Sequence, residues 1–195
     1  MARTKDVLKQ QRALSEATWA VMAERGLPGL TVRAVAERAG CTTGLVFHTF
    51  PNKKALLAHA RQLLLERASA RADAVEQHGG PAPDVLRNVA LALIARGRDG
   101  EEEARVWISF LAASLADPAL ARYHLTGNRA LLARMTRLVR AAWPEWKGER
   151  ARQAAVELVA LIEGLNTLGA VDPISYPVAA QRAAVRRAIA VLENE

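Results

Sequence analysis

The sequence predicts an all-α protein, and three observations carry that reading. Apolar residues recur at three- and four-residue intervals almost throughout the 195-residue chain, which is the period of a helix with one buried face. No stretch alternates apolar and polar residues long enough to argue for a strand. Gly, Pro, Asn and Thr cluster between the periodic segments, where helices stop and restart. With 51% hydrophobic residues the chain can bury a core, and its length suits one or two domains. No repeat at a period of about 20 to 50 residues argues for a solenoid.

Each element follows from its own signals. Leu14, Ala17 and Val21 make one face of a first helix that ends at Gly26, and the loop "GLPGL" follows. Thr31 caps a second helix over "VRAVAERA", and Gly40 closes it, glycine being the residue that most readily adopts the left-handed conformation after a helix end. Thr42 caps a third helix through its hydroxyl. That helix stays short, because Pro51 disfavours a helical conformation at Phe50. Asn52 offers a new cap, and Leu56, Leu57, Ala60, Leu63 and Leu64 trace the stripe of a long fourth helix from Lys53 to about Gln77. After "HGGPAP" five more helices are expected: Asp84 to Arg96, Glu101 to Ala116, Ala119 to Trp143, Glu149 to Val171 and Val178 to Leu192. The basic front and the apolar body meet within the fourth helix, dividing the chain into residues 1–55 and 56–195.

Charge is unevenly spread along these elements. Of the net +7, residues 1–60 hold 9 Lys and Arg against 4 Asp and Glu, while residues 61–195 hold 18 against 16. A basic segment on a nearly neutral body suits docking on a polyanion, either DNA or an anionic membrane surface. A non-catalytic helical protein of the membrane surface or of the nucleoid is the alternative that composition leaves open. No uninterrupted apolar run reaches the roughly 18 residues of a membrane span, and "MARTKDVLKQQRALSEA" lacks the apolar core of a secretory signal, so a cytoplasmic protein is expected. The first helix, with Ala and Glu on its exposed positions, lacks the basic face over large apolar residues that membrane-surface helices need.

Catalysis and metal binding find no support. Cys41 is the single cysteine, which excludes an intramolecular disulfide and a cysteine-rich zinc site and leaves a small apolar residue in a turn. His48, His59, His78 and His124 lack metal-ligand spacing, and the chain has neither a Gly-rich phosphate loop nor a G-x-S-x-G elbow. A non-enzymatic protein without cofactor or metal is expected.

The second and third helices, joined at "AGCTT", have the size and punctuation of a helix-turn-helix, whose second helix lies in the DNA major groove. Thr42 and Thr43 offer hydroxyls to phosphates or base edges and methyls to thymine. Gly44 lets the backbone approach DNA closely. Phe47 can pack on the sugar-phosphate backbone, and His48 can donate to phosphate or to a guanine acceptor. Lys53 opens the fourth helix, where its charge and the free amides make an anion site. Thr31 and Arg33, at the start of the second helix, complete the candidate set.

The segment "TVRAVAERAGCTTGLVFHTFPNKKALL" resembles the DNA-binding segment of the TetR family of bacterial transcription regulators. The matching residues are Ala39-Gly40, Thr42-Thr43, Phe47-His48, Phe50, Lys53 and Leu56-Leu57. Two positions depart from the usual pattern, which has tyrosines at the aromatic pair and histidine where this chain has Thr49, so a phenolic contact from position 47 is lost. His48, "WISFLAASLADPALARYHLTGNRALLARM" and "ALIEGLNTLGAV" are similar to the BetI branch, choline-responsive repressors of betaine synthesis genes. The resemblance implies a ligand-responsive repressor that binds a near-palindromic DNA operator as a homodimer, built on the last two helices packed as a four-helix bundle.

Two further sets are candidates. Trp107, Phe110 and Leu111 could line an effector cavity with Glu163, Asn166 and Thr167, which share a helix face at i, i+3 and i+4. A carboxylate near an indole suits a quaternary ammonium such as choline, and another small apolar compound would also fit. The competing reading makes Trp107 ordinary core and turns Glu163 to solvent or a subunit interface. For the dimer the candidates are Leu158, Leu161, Val185, Ile189 and Leu192, with Arg182, Arg186 and Arg187 as the solvated face of the last helix.

Overall fold

A computed structural model describes residues 2–94 and 97–194, with backbone alone for residues 2–6 and 97–99. Among the described residues there are nine α-helices: α1 Ala2–Gly29, α2 Val32–Ala39, α3 Thr43–Thr49, α4 Lys53–His78, α5 Ala82–Ala92, α6 Gly97–Ala116, α7 Pro118–Ala142, α8 Gly148–Val171 and α9 Val178–Leu192. The all-α expectation holds for them.

The punctuation acts where the sequence puts it. Gly26, at φ 65° and ψ −175°, kinks α1 before a last short turn over Leu27–Gly29. Gly40 is left-handed at φ 63° and ψ 34°. Its N–H donates to the Glu37 carbonyl at 3.2 Å and that of Cys41 to Ala36 at 3.0 Å, satisfying carbonyls that a helix end leaves open. Thr31 and Thr42 accept from the amides of Ala34 and Leu45 at 3.1 and 3.3 Å. Phe50 is extended at φ −128° and ψ 105° ahead of Pro51, and Asn52 Oδ1 caps α4 by accepting from Ala55 N–H at 3.0 Å.

Two later boundaries differ from expectation. α5 starts at Ala82 rather than Asp84, because Pro83 in a first turn forfeits no helical hydrogen bond. It ends at Ala92, and the expected end at Arg96 lies outside the described residues. α6 starts at Gly97 rather than Glu101, which brings Glu101 and Glu102 near the positive end of its dipole.

The chain packs as two compact units. One combines Met1–Glu66 with Arg105–His124, the other Arg67–Ala104 with Leu125–Glu195. Helices α4, α6 and α7 contribute to both. In the first unit Trp19, Val21 and Met22 of α1, Val35 of α2 and Leu56 and Leu57 of α4 pack with Val46 of α3 and with Phe50 just after it. In the second, Leu86 and Val89 of α5, Met135 and Val139 of α7 and Leu158 and Ile162 of α8 pack with Val185 and Ile189 of α9. A partly buried ion pair sits in that unit: Arg71 meets Glu103 through two bonds of 2.7 Å, and its Nε donates to the Ala92 carbonyl at 3.3 Å. Such bidentate satisfaction is what makes a buried carboxylate tolerable.

By length and composition α8 alone among the described residues would suit a membrane span, although no uninterrupted apolar run of that length exists in the sequence. It carries Glu157 and Glu163, and one of its faces is buried in the second unit.

Candidate nucleic-acid interface

With seven residues, α3 has room for one buried and one outward face. Val46 is fully buried and Phe50, just after the helix, is 1% exposed. Thr43, Gly44 and His48 are exposed, and Phe47 holds 54% of its surface in solvent. Two apolar anchors therefore fix the helix from behind while its other side presents a hydroxyl, a bare backbone, an aromatic ring and an imidazole. A Cβ at Gly44 would meet only Thr42 Oγ1, at 3.8 Å. Nothing inside the fold demands glycine there, and its bare backbone is exposed.

Thr31 and Thr42 are exposed and serve first as caps. Each hydroxyl accepts a backbone N–H and keeps its own O–H as a donor for phosphate. Thr49 is different: its hydroxyl donates back to the Leu45 carbonyl at 3.0 Å. Arg33 is exposed on the first turn of α2.

Lys53, also exposed, donates from Nζ to the Leu27 carbonyl at 2.9 Å. It thus ties the end of α1 to the start of α4, and an ammonium has two further donors for a phosphate. Nearby charges are engaged elsewhere in the unit. Lys54 pairs with Asp117 at 2.6 Å and holds that carboxyl below its ordinary range, and Arg38 pairs with Glu24 at 2.6 Å. These partners lie 14 to 63 residues away along the chain, so sequence spacing gave no signal of them. Behind the recognition helix, His59 packs edge-on against Phe50 with ring centroids 4.3 Å apart. Burial pushes its pKa down, against an opposing pull from Glu66.

The six effector candidates divide three and three between the units. Trp107, 8% exposed, and the fully buried Phe110 belong to the first core, with Leu111 packed beside them. Arg61 places its guanidinium 4.8 Å from the Trp107 ring centroid and 5.9 Å from that of Phe110. A face of the indole already carries the protein's own cation. His124 lies 5.4 Å from the same ring, its pKa lowered by burial and then by Arg61. In the second unit Glu163, Asn166 and Thr167 are half-buried on α8, and Asn166 Nδ2 donates to the Leu93 carbonyl at 2.9 Å.

The dimer candidates divide by burial. Leu158, Val185 and Ile189 lie in the core of their own chain at 2%, 0% and 0% exposure, and Leu161 and Leu192 pack against that core. Periodicity finds a buried face without saying which chain buries it. The outward sides of α8 and α9 carry other apolar residues, among them Val156, Leu168, Val171, Val178 and Val191. Arg186 and Arg187 are solvated as expected, but Arg182 is half-buried and donates to the Leu91 carbonyl at 3.1 Å.

This arrangement is a helix-turn-helix with an exposed recognition face, and its relatives are of the same kind. Residues 14–60 match the tetR family of bacterial regulatory proteins, and residues 82–192 match the C-terminal part of BetI-type transcriptional repressors. The chain is 34% identical over 162 residues, 80% of each chain, to the HTH-type transcriptional regulator BetI of Burkholderia thailandensis. It is 32% identical to that of Stenotrophomonas maltophilia over 80% of this chain and 79% of the other. A transcriptional regulator from Rhodococcus sp. superposes with a TM-score of 0.83 at 27% identity, covering 93% and 94% of the two chains. A regulator from Saccharomonospora viridis, solved in complex with choline, has the same fold at 20% identity, with a TM-score of 0.82 over 92% and 94%. The chain belongs to the TetR family of DNA-binding transcriptional regulators, which are not enzymes. Within it, the C-terminal part is that of a BetI-type repressor.

Proposed function

We propose that residues 1–55 form the DNA-binding domain, and residues 56–195 the effector and dimerisation domain, of a cytoplasmic homodimeric repressor. It binds a near-palindromic operator and leaves it when a small molecule binds. The observation that carries the reading is the divided α3, anchored through Val46 and Phe50 and exposed at Thr43, Gly44, Phe47 and His48. Two such helices read half-sites roughly 34 to 36 Å apart, or a multiple of that spacing. An effector that prefers another spacing by about 1 to 3 kcal/mol weakens operator binding by roughly 5- to 150-fold. Choline, found with the Saccharomonospora viridis relative, is one candidate effector and another small, largely apolar compound is the other. Trp107, Phe110 and Leu111 of the first unit, and Glu163, Asn166 and Thr167 of the second, are two separate candidate sets of contacts for it.

The dimer face we propose is the outward side of α8 and α9, including Leu168, Val171 and Val191, which are 46%, 76% and 54% exposed in the single chain. Patches of that kind mark association sites. The DNA reading is tested by selecting bound fragments from the source genome and titrating them. Thr43→Ala is expected to weaken specific binding far more than nonspecific binding. Lys53→Ala is expected to weaken both and to lower the salt dependence by about one charge. Equal loss on all DNA for Thr43→Ala would remove it from base readout, and absence of any fragment bound above background would end the operator reading.

A further inference from the structure

We propose that Asp117, at the junction of α6 and α7, is a positioning residue for DNA recognition: by pairing with Lys54 it fixes the first turn of α4 and, through that turn, the placement of α3 on DNA. The inference rests on the DNA reading above and adds to it a residue from outside the helix-turn-helix. Asp117 lies within the part of the chain that matches BetI-type C-terminal domains. Arg105–His124 nevertheless packs in one compact unit with Met1–Glu66. The pair therefore joins the proposed effector domain to the proposed DNA-binding domain inside a single packed body.

The acid is the fixed partner. Its Oδ1 accepts from the Ala119 N–H at 2.9 Å, its carbonyl accepts from the Ala121 N–H at 2.9 Å, and its side chain is 15% exposed. Leu120, on the same first turn of α7, is 2% exposed in the core of the unit. Lys54, 62% exposed, is the long arm that reaches the carboxylate at 2.6 Å. A carboxylate already ordered as a cap loses little further freedom on pairing, which favours this pair over one between two mobile side chains. The start of α4 needs such a partner. Its first turn holds Lys53 and Lys54 and no acid, at the end of the helix where the dipole disfavours cations. The two lysines are drawn to different elements, Lys53 to the Leu27 carbonyl of α1 and Lys54 to Asp117. Only Phe50, Pro51 and Asn52 separate α3 from that turn, and Phe50 is extended and buried. A shift of the start of α4 is thus passed to α3 with little slack.

The test is a double-mutant cycle on the full-length chain, read by fluorescence anisotropy on a fragment selected from the source genome and on a scrambled fragment of equal length. Asp117→Asn keeps the cap, since asparagine caps a helix as well as aspartate does, and removes the charge. By net charge alone that variant should bind all DNA tighter. The positioning role instead lowers its ratio of specific to nonspecific affinity by about 2- to 5-fold, the range for one partly exposed pair. Lys54→Gln should lower the ratio equally, and the double variant should lose no more than either single one. Well below the melting temperature a change in stability leaves that ratio untouched, so a pair that only holds the fold would not move it. An unchanged ratio in Asp117→Asn, or losses that multiply in the double variant, would overturn this inference alone. A natural chain that binds no fragment above background would end the operator reading and this inference together.

Discussion

At the scale of the residue, groups proposed to face DNA also hold the fold. Lys53 closes a loop and Thr31 and Thr42 cap helices, so their substitutions mix binding with stability. Histidines give a cleaner probe. Burial lowers the pKa of both His59 and His124 from the ordinary 6.5, so the unfolded chain binds protons that the folded chain refuses. Stability is then full above pH 6.5 and lost as pH falls below it, through the lowered folded values. Urea melts between pH 7.5 and pH 5 should show that slope, and His59→Gln should reduce it. A wild-type profile that rises on acidification would contradict the burial of these imidazoles.

At the scale of the element, the two glycines around the turn have opposite roles. Gly40 is left-handed, so Gly40→Ala is expected to cost about 1 to 2 kcal/mol in a thermal or urea melt. Gly44 lies inside α3 with room for a methyl. Gly44→Ala is therefore expected to gain roughly 0.5 to 1 kcal/mol while operator affinity falls. A Gly44→Ala chain that is more stable and binds DNA unchanged would show that backbone approach at this position is not used. The length of α3 was legible from Thr42 and Pro51. The pairing of Lys54 with Asp117 was not, because it joins helices far apart in sequence.

At the scale of the whole molecule, the burial of Ile189 decides which variant tests the dimer. Ile189→Glu would place a charge in the core of a single chain, where Ile189 has no exposure, and so would unfold it rather than separate subunits. Leu168→Glu instead alters a residue 46% exposed. Sedimentation should give a dimer at micromolar concentration for the natural chain and a monomer with an unchanged helical spectrum for Leu168→Glu. A natural chain that sediments as a monomer would remove both the dimer and the palindromic operator.

The sequence by itself determined the helices, the turn and the family, because these rest on local rules: periodicity, caps at Thr31, Thr42 and Asn52, and breaks at Gly26, Gly40 and Pro51. That Val46 and Phe50 are buried while Phe47 is exposed came from the structure, since the two phenylalanines are alike in polarity. Only the tertiary structure decided who buries each apolar face and who neutralises each charge. It gave Leu158, Val185 and Ile189 to their own core, Arg61 to the Trp107 ring and Arg182 to the Leu91 carbonyl. A hydrophobic period says that a face must leave water, and a charge says that it needs a partner. The identity of either partner is set by residues tens of positions away, which no local pattern encodes.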